Sequence, residues 1–399
     1  MIQRKYILRL FKMNERFKLN KDSLKIILLF LSWRIFLIFI AIFAIHYIPL
    51  AFEDRFLGGG FINYHLAPEF FSWANFDGEH YLSIATFGYK HLQQAFFPIY
   101  PLIIFLLTKP FSYDLFSAIP FGILSGILIS NISFLFSLIY LGELLRIDFP
   151  KNIVFLTLMV LVFFPTSFYF GAVYSESLFF LFTVLSFYSA RKNKWLIATF
   201  FGILASATRF FGVLLLPALF IEAWQQKTNF SKAGWILLIP AGLLSYMIYL
   251  YLTIGDPLAF YNLQTVVGEQ HQRGVILLPQ VYFRYIKMVS TVNMHTPIYQ
   301  TIVLEFILGI MFLILPIYGY LKKIRLSYLA YALLGFLIPT IQGSFSSVPR
   351  YVIVLFPSFI ALALLINSLP KLLKIVFFSI LAFLLVIETA LFLRGYWVA

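Results

Sequence analysis

Long apolar runs constrain the fold of this chain more than any other feature of its sequence. Residues 24–48, 117–142 and 350–369 are each long enough to form a helix that crosses about 30 Å of hydrocarbon. An α-helix satisfies its backbone hydrogen bonds within one segment, as a bilayer requires. The chain is 61% hydrophobic and only 12% charged, unlike an ordinary soluble domain. The sequence therefore predicts an all-α, polytopic membrane protein.

Clusters of Lys and Arg predict the side of the membrane on which each connection lies. Residues 1–25 carry eight Lys and Arg, which predicts a cytoplasmic N-terminus. The other basic clusters, all assigned to the cytoplasmic side, are Arg146 and Lys151, residues 191–194, Lys227 and Lys232, residues 322–325, and Lys371 and Lys374. The segments between them that we expect outside are 49–116, about 166–177, 254–298 and 342–349. We predict ten to twelve spans in one domain, 1–399, because no linker divides the chain.

Two segments do not fit a simple zigzag of spans. Residues 96–108 are too few to cross and return, which favours an interfacial or half-inserted helix. Residues 195–222 must cross twice if both flanks are cytoplasmic, with a break near 206–212. Broken helices at membrane depth are tolerated where they are buried in protein or line a cavity, so this break is a candidate site.

Composition excludes several function classes. Without cysteine the chain has no disulfide, thiolate metal site or cysteine nucleophile. The net charge of +14 is spread among short loops, without a basic stripe interleaved with aromatic residues. That distribution is typical of membrane orientation and anionic headgroups and speaks against a nucleic-acid partner.

A polar stretch in the first outer loop carries the strongest chemical signal. It reads ANFDGEHYLSIATFGYKHLQQAFFPIYP over residues 74–101. Helical spacing places Asp77 beside His80 and Tyr81 on one face, whereas Glu79 points away. Asp77 has two interpretations, the N-cap of this helix or a general base that accepts a proton from a sugar hydroxyl. A metal site built from Asp77, Glu79 and His80 is disfavoured, because Glu79 lies on another face.

A single carboxylate suffices for sugar transfer when the leaving group is a phosphate. Phosphate departs without protonation if cations stabilise it, and arginine binds phosphate bidentately. A retaining glycosidase instead needs a second carboxylate in a set geometry.

Three further ionisable residues lie next to or within apolar runs. Glu176, in YSES, is either a partner of its helix N-terminus or a hydrogen-bonding group for a substrate or the base. Arg209 lies inside an apolar run, where an arginine indicates a functional site. Arg350 lies where an outer segment re-enters the membrane, and it binds phosphate or snorkels to headgroups. The other polar outer residues, which are acceptor-side groups or simply solvated, are His271, Arg273 and His295.

Five motifs in the same order resemble the PIG-V-like mannosyltransferases, which are membrane glycosyltransferases of the GT-C type. The motifs are FDGEHYLSIATFGY, AFFPIYPLI, YSESLFFLFTVLSFY, ATRFFG and SVPRYVIVLFP, spread over about residues 70–360. The resemblance implies a GT-C fold, an outer-face active site, a polyprenyl-phosphate-linked sugar donor and Asp77 as the catalytic residue. His80 and Tyr81 match the motif of Asp77, Glu176 matches the third motif and Arg209 the fourth. The family usually has Trp before the aspartate, often preceded by Arg, whereas this chain has Asn75-Phe76.

The leading hypothesis is an inverting glycosyltransferase, in first place a mannosyltransferase, in which Asp77 is the base. Arg209 and Arg350 would hold the donor phosphate, while His80, Tyr81 and Glu176 place the sugar or the base. The acceptor is a hydroxyl of a glycolipid, glycan or protein. No cofactor or metal is assigned, and length and cysteine content suit a prokaryotic plasma membrane. The alternatives are a transporter or flippase of a lipid-linked anion, and a scaffold for envelope enzymes.

Overall fold

The computed structural model describes residues 21–51, 57–263 and 276–398, and within these ranges every regular element is helical. The helices of the first half are α1 Lys21–Tyr47, α2 Phe61–Leu66, α3 Pro68–Phe71, α4 Asp77–Phe87, α5 Ile99–Thr108, α6 Leu115–Leu145, α7 Lys151–Val162 and α8 Glu176–Arg191. The next are α9 Trp195–Thr208, α10 Leu215–Gln225, α11 Phe230–Ala233, α12 Ala241–Ile254 and α13 Ala259–Asn262. The last are α14 Leu278–Thr291, α15 Pro297–Leu321, α16 Leu326–Thr340, α17 Val348–Tyr351, α18 Phe356–Asn367 and α19 Lys371–Leu393.

The helices are long and apolar enough to make this an integral membrane protein. Five helical segments of the described chain pass that test, namely Asp22–Tyr47, Phe116–Leu145, Phe230–Ile254, Pro297–Leu321 and Lys371–Leu393. A sixth is the pair Val348–Val354 and Phe356–Asn367, which is bent by 87° at its break. Five other apolar helices have only 10–17 residues. The all-α membrane class is confirmed, and the count of ten to twelve spans stays a prediction that requires several of these short helices to cross.

Helix α8 lies at the centre of the bundle and begins at the candidate site. It packs between α6 and α9, and Phe179, Phe180 and Phe187 on it are fully buried. Its N-terminal residue is Glu176, so the packing of α8 sets the position of that carboxylate.

Basic clusters that we assigned to the cytoplasmic side meet at one end of the bundle. Arg191 pairs with Asp148 at 2.6 Å and with the fully buried Glu222 at 3.2 Å. Arg325 pairs with the same Glu222 at 2.9 Å, and Arg146 lies two residues before Asp148. The clusters at 146–151, 191–194 and 322–325 therefore share one face of the molecule, as their charge predicts.

The segments predicted to lie outside meet at the opposite end of α8. Hydrogen bonds join the first loop to 166–177, the latter to 342–349, and the segment before α14 to the end of α16. They are Val173 N to Trp73 O at 2.9 Å, Thr166 Oγ1 to Pro349 O at 2.6 Å, and Ile276 N to Ile341 O at 2.8 Å. These contacts bring separate motifs together at that end of α8, and the side of the membrane on which the segments lie stays a prediction.

The chain breaks between α9 and α10 as the sequence predicts. Arg209 is extended, with φ −153° and ψ 147°, and a 3₁₀ turn at Phe210–Leu214 leads back into α10. Gly212 is required there, because a Cβ atom on it would lie 2.3 Å from Ala205 C. Residues 99–108 likewise form a ten-residue helix packed on α6, in line with a short segment that does not cross.

Candidate active site

Asp77 is the first residue of α4, and its carboxylate is directed toward an arginine rather than its own helix. The N-cap position is taken by Phe76, and no side chain caps this N-terminus. The capping interpretation of Asp77 is therefore wrong. Its Oδ2 instead accepts a hydrogen bond of 2.5 Å from Arg350 Nη1. The Asp77 side chain stays 25% exposed, so another molecule can reach the carboxylate.

The backbone before Asp77 is strained and is held by buried hydrogen bonds. Phe76 has φ 56° and ψ −118°, a region costly for a residue with a side chain. The buried Asn75 accepts from Gly58 N at 2.8 Å and donates to Phe392 O at 2.9 Å and Leu393 O at 3.3 Å. The departure from the family pattern at Asn75-Phe76 thus anchors the Asp77 loop to the end of α19.

Arg350, Asp77, Glu176 and Arg209 form one connected ion network. Arg350 Nε lies 3.4 Å from Glu176 Oε1, and the same oxygen pairs with Arg209 Nη1. Two arginines and two carboxylates give a formal charge of zero. Four residues chosen from separate motifs are thus brought together by the fold.

Glu176 is the most deeply buried member of this network. It is 1% exposed in the first turn of α8, where the helix dipole favours a negative charge. Among the described residues only Arg209 donates a hydrogen bond to its side chain, so Glu176 does not cap that N-terminus. Within the described ranges Glu176 Oε2 is buried and accepts no hydrogen bond. An unpaired buried charge would be energetically costly, which explains why both Arg209 and Arg350 lie next to Glu176.

Tyr81 belongs to the same site through Ser175. Tyr81 is buried, and its hydroxyl lies 2.8 Å from Ser175 Oγ, which also accepts from Arg209 Nη1 at 3.3 Å. Burial, reinforced by the charge of Glu176, raises the pKa of Tyr81 far above its usual range. Tyr81 therefore remains a neutral hydrogen-bonding group that holds the Ser175 turn.

His80 lies beside Tyr81, since both rings contact Phe96, and it is close enough to Asp77 to feel the charge of that carboxylate. The His80 ring stacks on Phe96 with centroids 4.8 Å apart, and burial lowers its pKa although the Asp77 charge opposes this. Glu79 is half-buried, and burial raises its pKa to about 7. In the part of the chain that the structure describes, no three His, Asp or Glu side chains come close enough to hold a metal ion.

An aromatic cage around Arg350 was not anticipated from the sequence. The centroids of Tyr169, Tyr174 and Tyr351 lie 5.9, 5.7 and 5.2 Å from the guanidinium carbon. Rings at this distance stabilise a cation by their negative faces. The signal available in the sequence was the density of tyrosines next to Glu176 and Arg350.

Two buried carboxylates were also missed. Glu305 in α15 and Glu388 in α19 are 3% and 1% exposed inside long apolar helices. The argument that identified Arg209, an ionisable residue within an apolar run, applies to both. Among the remaining polar candidates, His295 is exposed, whereas His271 and Arg273 lie outside the described residues.

Comparison with known proteins relates this geometry to a family. The structure of the Archaeoglobus fulgidus oligosaccharyltransferase tethered to an acceptor peptide aligns with a TM-score of 0.42 and 13% identity. The alignment covers 92% of this chain and 55% of that one, so the chain spans about half the length of that protein. No curated protein matches the sequence significantly. The family model described as Mannosyltransferase (PIG-V) matches residues 20–262, more than half of the chain, including Asp77, Glu176 and Arg209. The chain therefore belongs to the mannosyltransferase (PIG-V) family of glycosyltransferases.

Proposed function

We propose that the protein is an inverting mannosyltransferase that uses a polyprenyl-phosphate-linked sugar as donor. The acceptor is a hydroxyl of a glycolipid, glycan or protein on the extracytoplasmic face of a prokaryotic plasma membrane. The observation that carries the proposal is the hydrogen bond of Arg350 to Asp77 within a network that also contains Glu176 and Arg209. A carboxylate beside two arginines combines a base with cations for a phosphate.

The depth of the network supports an outer-face site. Glu176 and Arg191 occupy the two ends of α8, so about 22 Å separate them along the helix axis. If the Arg191 cluster marks the cytoplasmic boundary, the network lies in the outer half of a hydrocarbon layer about 30 Å thick. The phosphate of a lipid-linked donor is anchored by its chain near that level. The GT-C architecture implied by the sequence resemblance agrees with this arrangement.

In the proposed reaction the acceptor oxygen forms a bond to C1 of the sugar while the bond from C1 to the phosphate oxygen breaks. Asp77 takes the hydroxyl proton, and polyprenyl phosphate leaves with the bonding electron pair. A single displacement inverts the anomeric centre. The partial exposure of Asp77 allows the acceptor to approach its carboxylate.

Arg350 has the capacity to serve the base and the phosphate together. A guanidinium carries five N–H donors, and only Nη1 makes a hydrogen bond to a described residue. Its Nε lies 3.4 Å from Glu176 Oε1 without hydrogen-bond geometry. We infer that the donor phosphate binds the remaining N–H groups of Arg350, together with Arg209. This binding would weaken the hydrogen bond from Arg350 to Asp77.

The test is sugar transfer by purified protein supplied with radiolabelled polyprenyl-phosphate mannose and candidate acceptors. Asp77→Asn should reduce transfer by about 10²–10⁴-fold, the usual contribution of a general base, while donor binding persists. Glu69→Gln, at an exposed carboxylate of the same outer loop, is the matched control and should leave transfer unchanged. Full activity of Asp77→Asn would refute the assignment. Movement of intact donor between leaflets without cleavage would instead favour the transporter.

A further inference from the structure

Glu305 is a buried carboxylate in the N-terminal half of α15 that the proposed reaction does not use. It is 3% exposed within a long apolar helix, where ionisable residues are expensive and indicate function. Its Oε2 accepts a hydrogen bond of 2.6 Å from the Tyr285 hydroxyl, and its Oε1 accepts one of 3.1 Å from Ser347 N. Within the described residues no arginine or lysine pairs with it.

Ser347 is the N-cap of the short helix that carries Arg350. It has φ 63° and ψ 6°, a left-handed conformation that is uncommon for a residue other than glycine, aspartate or asparagine. Its carbonyl accepts from Arg350 N at 3.0 Å, so the two residues belong to one turn. The bond from Ser347 N to Glu305 therefore holds the start of this turn in its strained shape.

Helix α17 is too short to be stable without contacts to the rest of the protein. It spans four residues, and a single helical turn is unstable without tertiary contacts. No side chain caps its N-terminus by the usual Ncap bond. Glu305 supplies an acceptor there from a neighbouring span, and Thr166 Oγ1 donates to Pro349 O at 2.6 Å on the other side. Between these two anchors the turn directs Arg350 to Asp77.

We propose that Glu305 is a positioning residue for Arg350, acting through Ser347 N. The carboxylate, oriented by Tyr285, sets the turn at Ser347 and thereby places the guanidinium between Asp77 and Glu176. The kinetic part of this proposal rests on the proposed function, whereas its structural part does not. A displacement of about 1 Å in a positioning group lowers rates by about 10²-fold, so a residue without substrate contact can have a large effect.

The test compares two buried carboxylates that receive the same substitution. Glu305→Leu removes the acceptor for Ser347 N, while Glu388→Leu is the matched control. Glu388 is also nearly fully buried, binds Gln300 at 2.8 Å and lies in α19. We expect Glu305→Leu to lower kcat/KM for the donor by about 10–100-fold, and Glu388→Leu to change it less than about threefold at similar thermal stability. Equal losses in both variants would reduce Glu305 to a structural role and overturn the proposal.

Glu305→Gln separates hydrogen bonding from charge. Its amide oxygen still accepts from Ser347 N, so transfer should recover to within about threefold of the native rate. A Gln variant as inactive as Glu305→Leu would overturn a role based on this hydrogen bond. Combining Glu305→Leu with Arg350→Lys should add little to the loss caused by Arg350→Lys alone, because both changes act on one group. Full additivity would contradict action through Arg350.

A structural readout keeps the proposal independent of the activity. Cryo-electron microscopy of Glu305→Leu should show Ser347 outside the left-handed region and Arg350 Nη1 beyond hydrogen-bond distance of Asp77 Oδ2. Glu388→Leu should keep both features. If Glu305→Leu does not fold, Tyr285→Phe removes one hydrogen bond of the carboxylate and should show a smaller change in the same direction. An unchanged Arg350 in the variant that folds would overturn the proposal, whereas absence of transfer by native protein would refute only the proposed function.

Discussion

Arg350 Nη1 lies 2.5 Å from Asp77 Oδ2, although 273 positions separate the two residues in the sequence. This contact joins the last motif of the chain to the first one. Arg350 lies beyond the residues matched by the family model, whereas Asp77 lies within them. The contact also means that Asp77, the candidate base, is paired with Arg350, the same residue that we propose to bind the donor phosphate.

Arg350→Lys should weaken donor binding more than it weakens folding. Lysine keeps the positive charge but replaces a planar fork of donors by a single ammonium. We expect the donor KM to rise about tenfold, equivalent to about 1.4 kcal/mol. Arg394→Lys is the control, since Arg394 binds the Ile48 carbonyl. An unchanged donor KM in Arg350→Lys would argue against phosphate binding by this residue.

Glu176 and Arg209 should show strong energetic coupling. Glu176→Gln leaves Arg209 without its counter-charge, whereas Arg209→Gln leaves Glu176 with only the more distant Arg350. Loss of one partner of a buried ion pair typically costs about 3–5 kcal/mol. The double variant removes both charges and should cost clearly less than the sum of the single variants. Thermal unfolding of the four proteins in one detergent measures the coupling. Additive losses would mean that the pair is not energetically linked.

Phe76→Gly should be more stable than Phe76→Ala. Both substitutions remove the ring that packs against Phe392 and Trp397, with centroids 5.8 Å away in each case. Only glycine adopts φ 56° without steric cost, so we expect a difference of about 1 kcal/mol in its favour. The usual order, in which glycine destabilises through backbone entropy, would contradict a strained turn before Asp77.

Glu79 should make folding stability fall as pH rises. Burial raises its pKa from 4.5 in the unfolded chain to about 7 in the folded protein. Between these two pH values the folded state thus binds more protons than the unfolded state. The free energy of unfolding therefore decreases as the pH rises toward 7. Glu79→Gln should remove this pH dependence of the stability. At pH 8 its free energy of unfolding should exceed that of the native protein by about 1–2 kcal/mol, with screening by solvent included.

Melting temperatures of native protein and Glu79→Gln between pH 5 and pH 8 measure this effect. Both proteins retain His80, so the difference between the two curves isolates Glu79. Parallel curves over the whole range would show that Glu79 is not desolvated in the native state.

Local signals in the sequence identified all four members of the ion network. A charged residue next to or within an apolar run is energetically costly and therefore indicates a function. This argument, together with the motifs, identified Asp77, Glu176, Arg209 and Arg350. The break at Arg209 followed from the basic residues on both flanks of 195–222. The pairing of each arginine with a carboxylate did not follow, since it depends on which outer segments touch.

The sequence by itself determined the membrane class, the family motifs and which charged residues lie next to or within apolar runs. The length of apolar runs, the charge distribution and the motif spacing are properties of the sequence that can be recognised without knowledge of the packing. Only the tertiary structure decided that Arg350 binds Asp77, that tyrosines surround it and that Glu305 holds the turn before it. Those contacts join spans far apart in sequence, and their geometry is set by how the helices pack around α8.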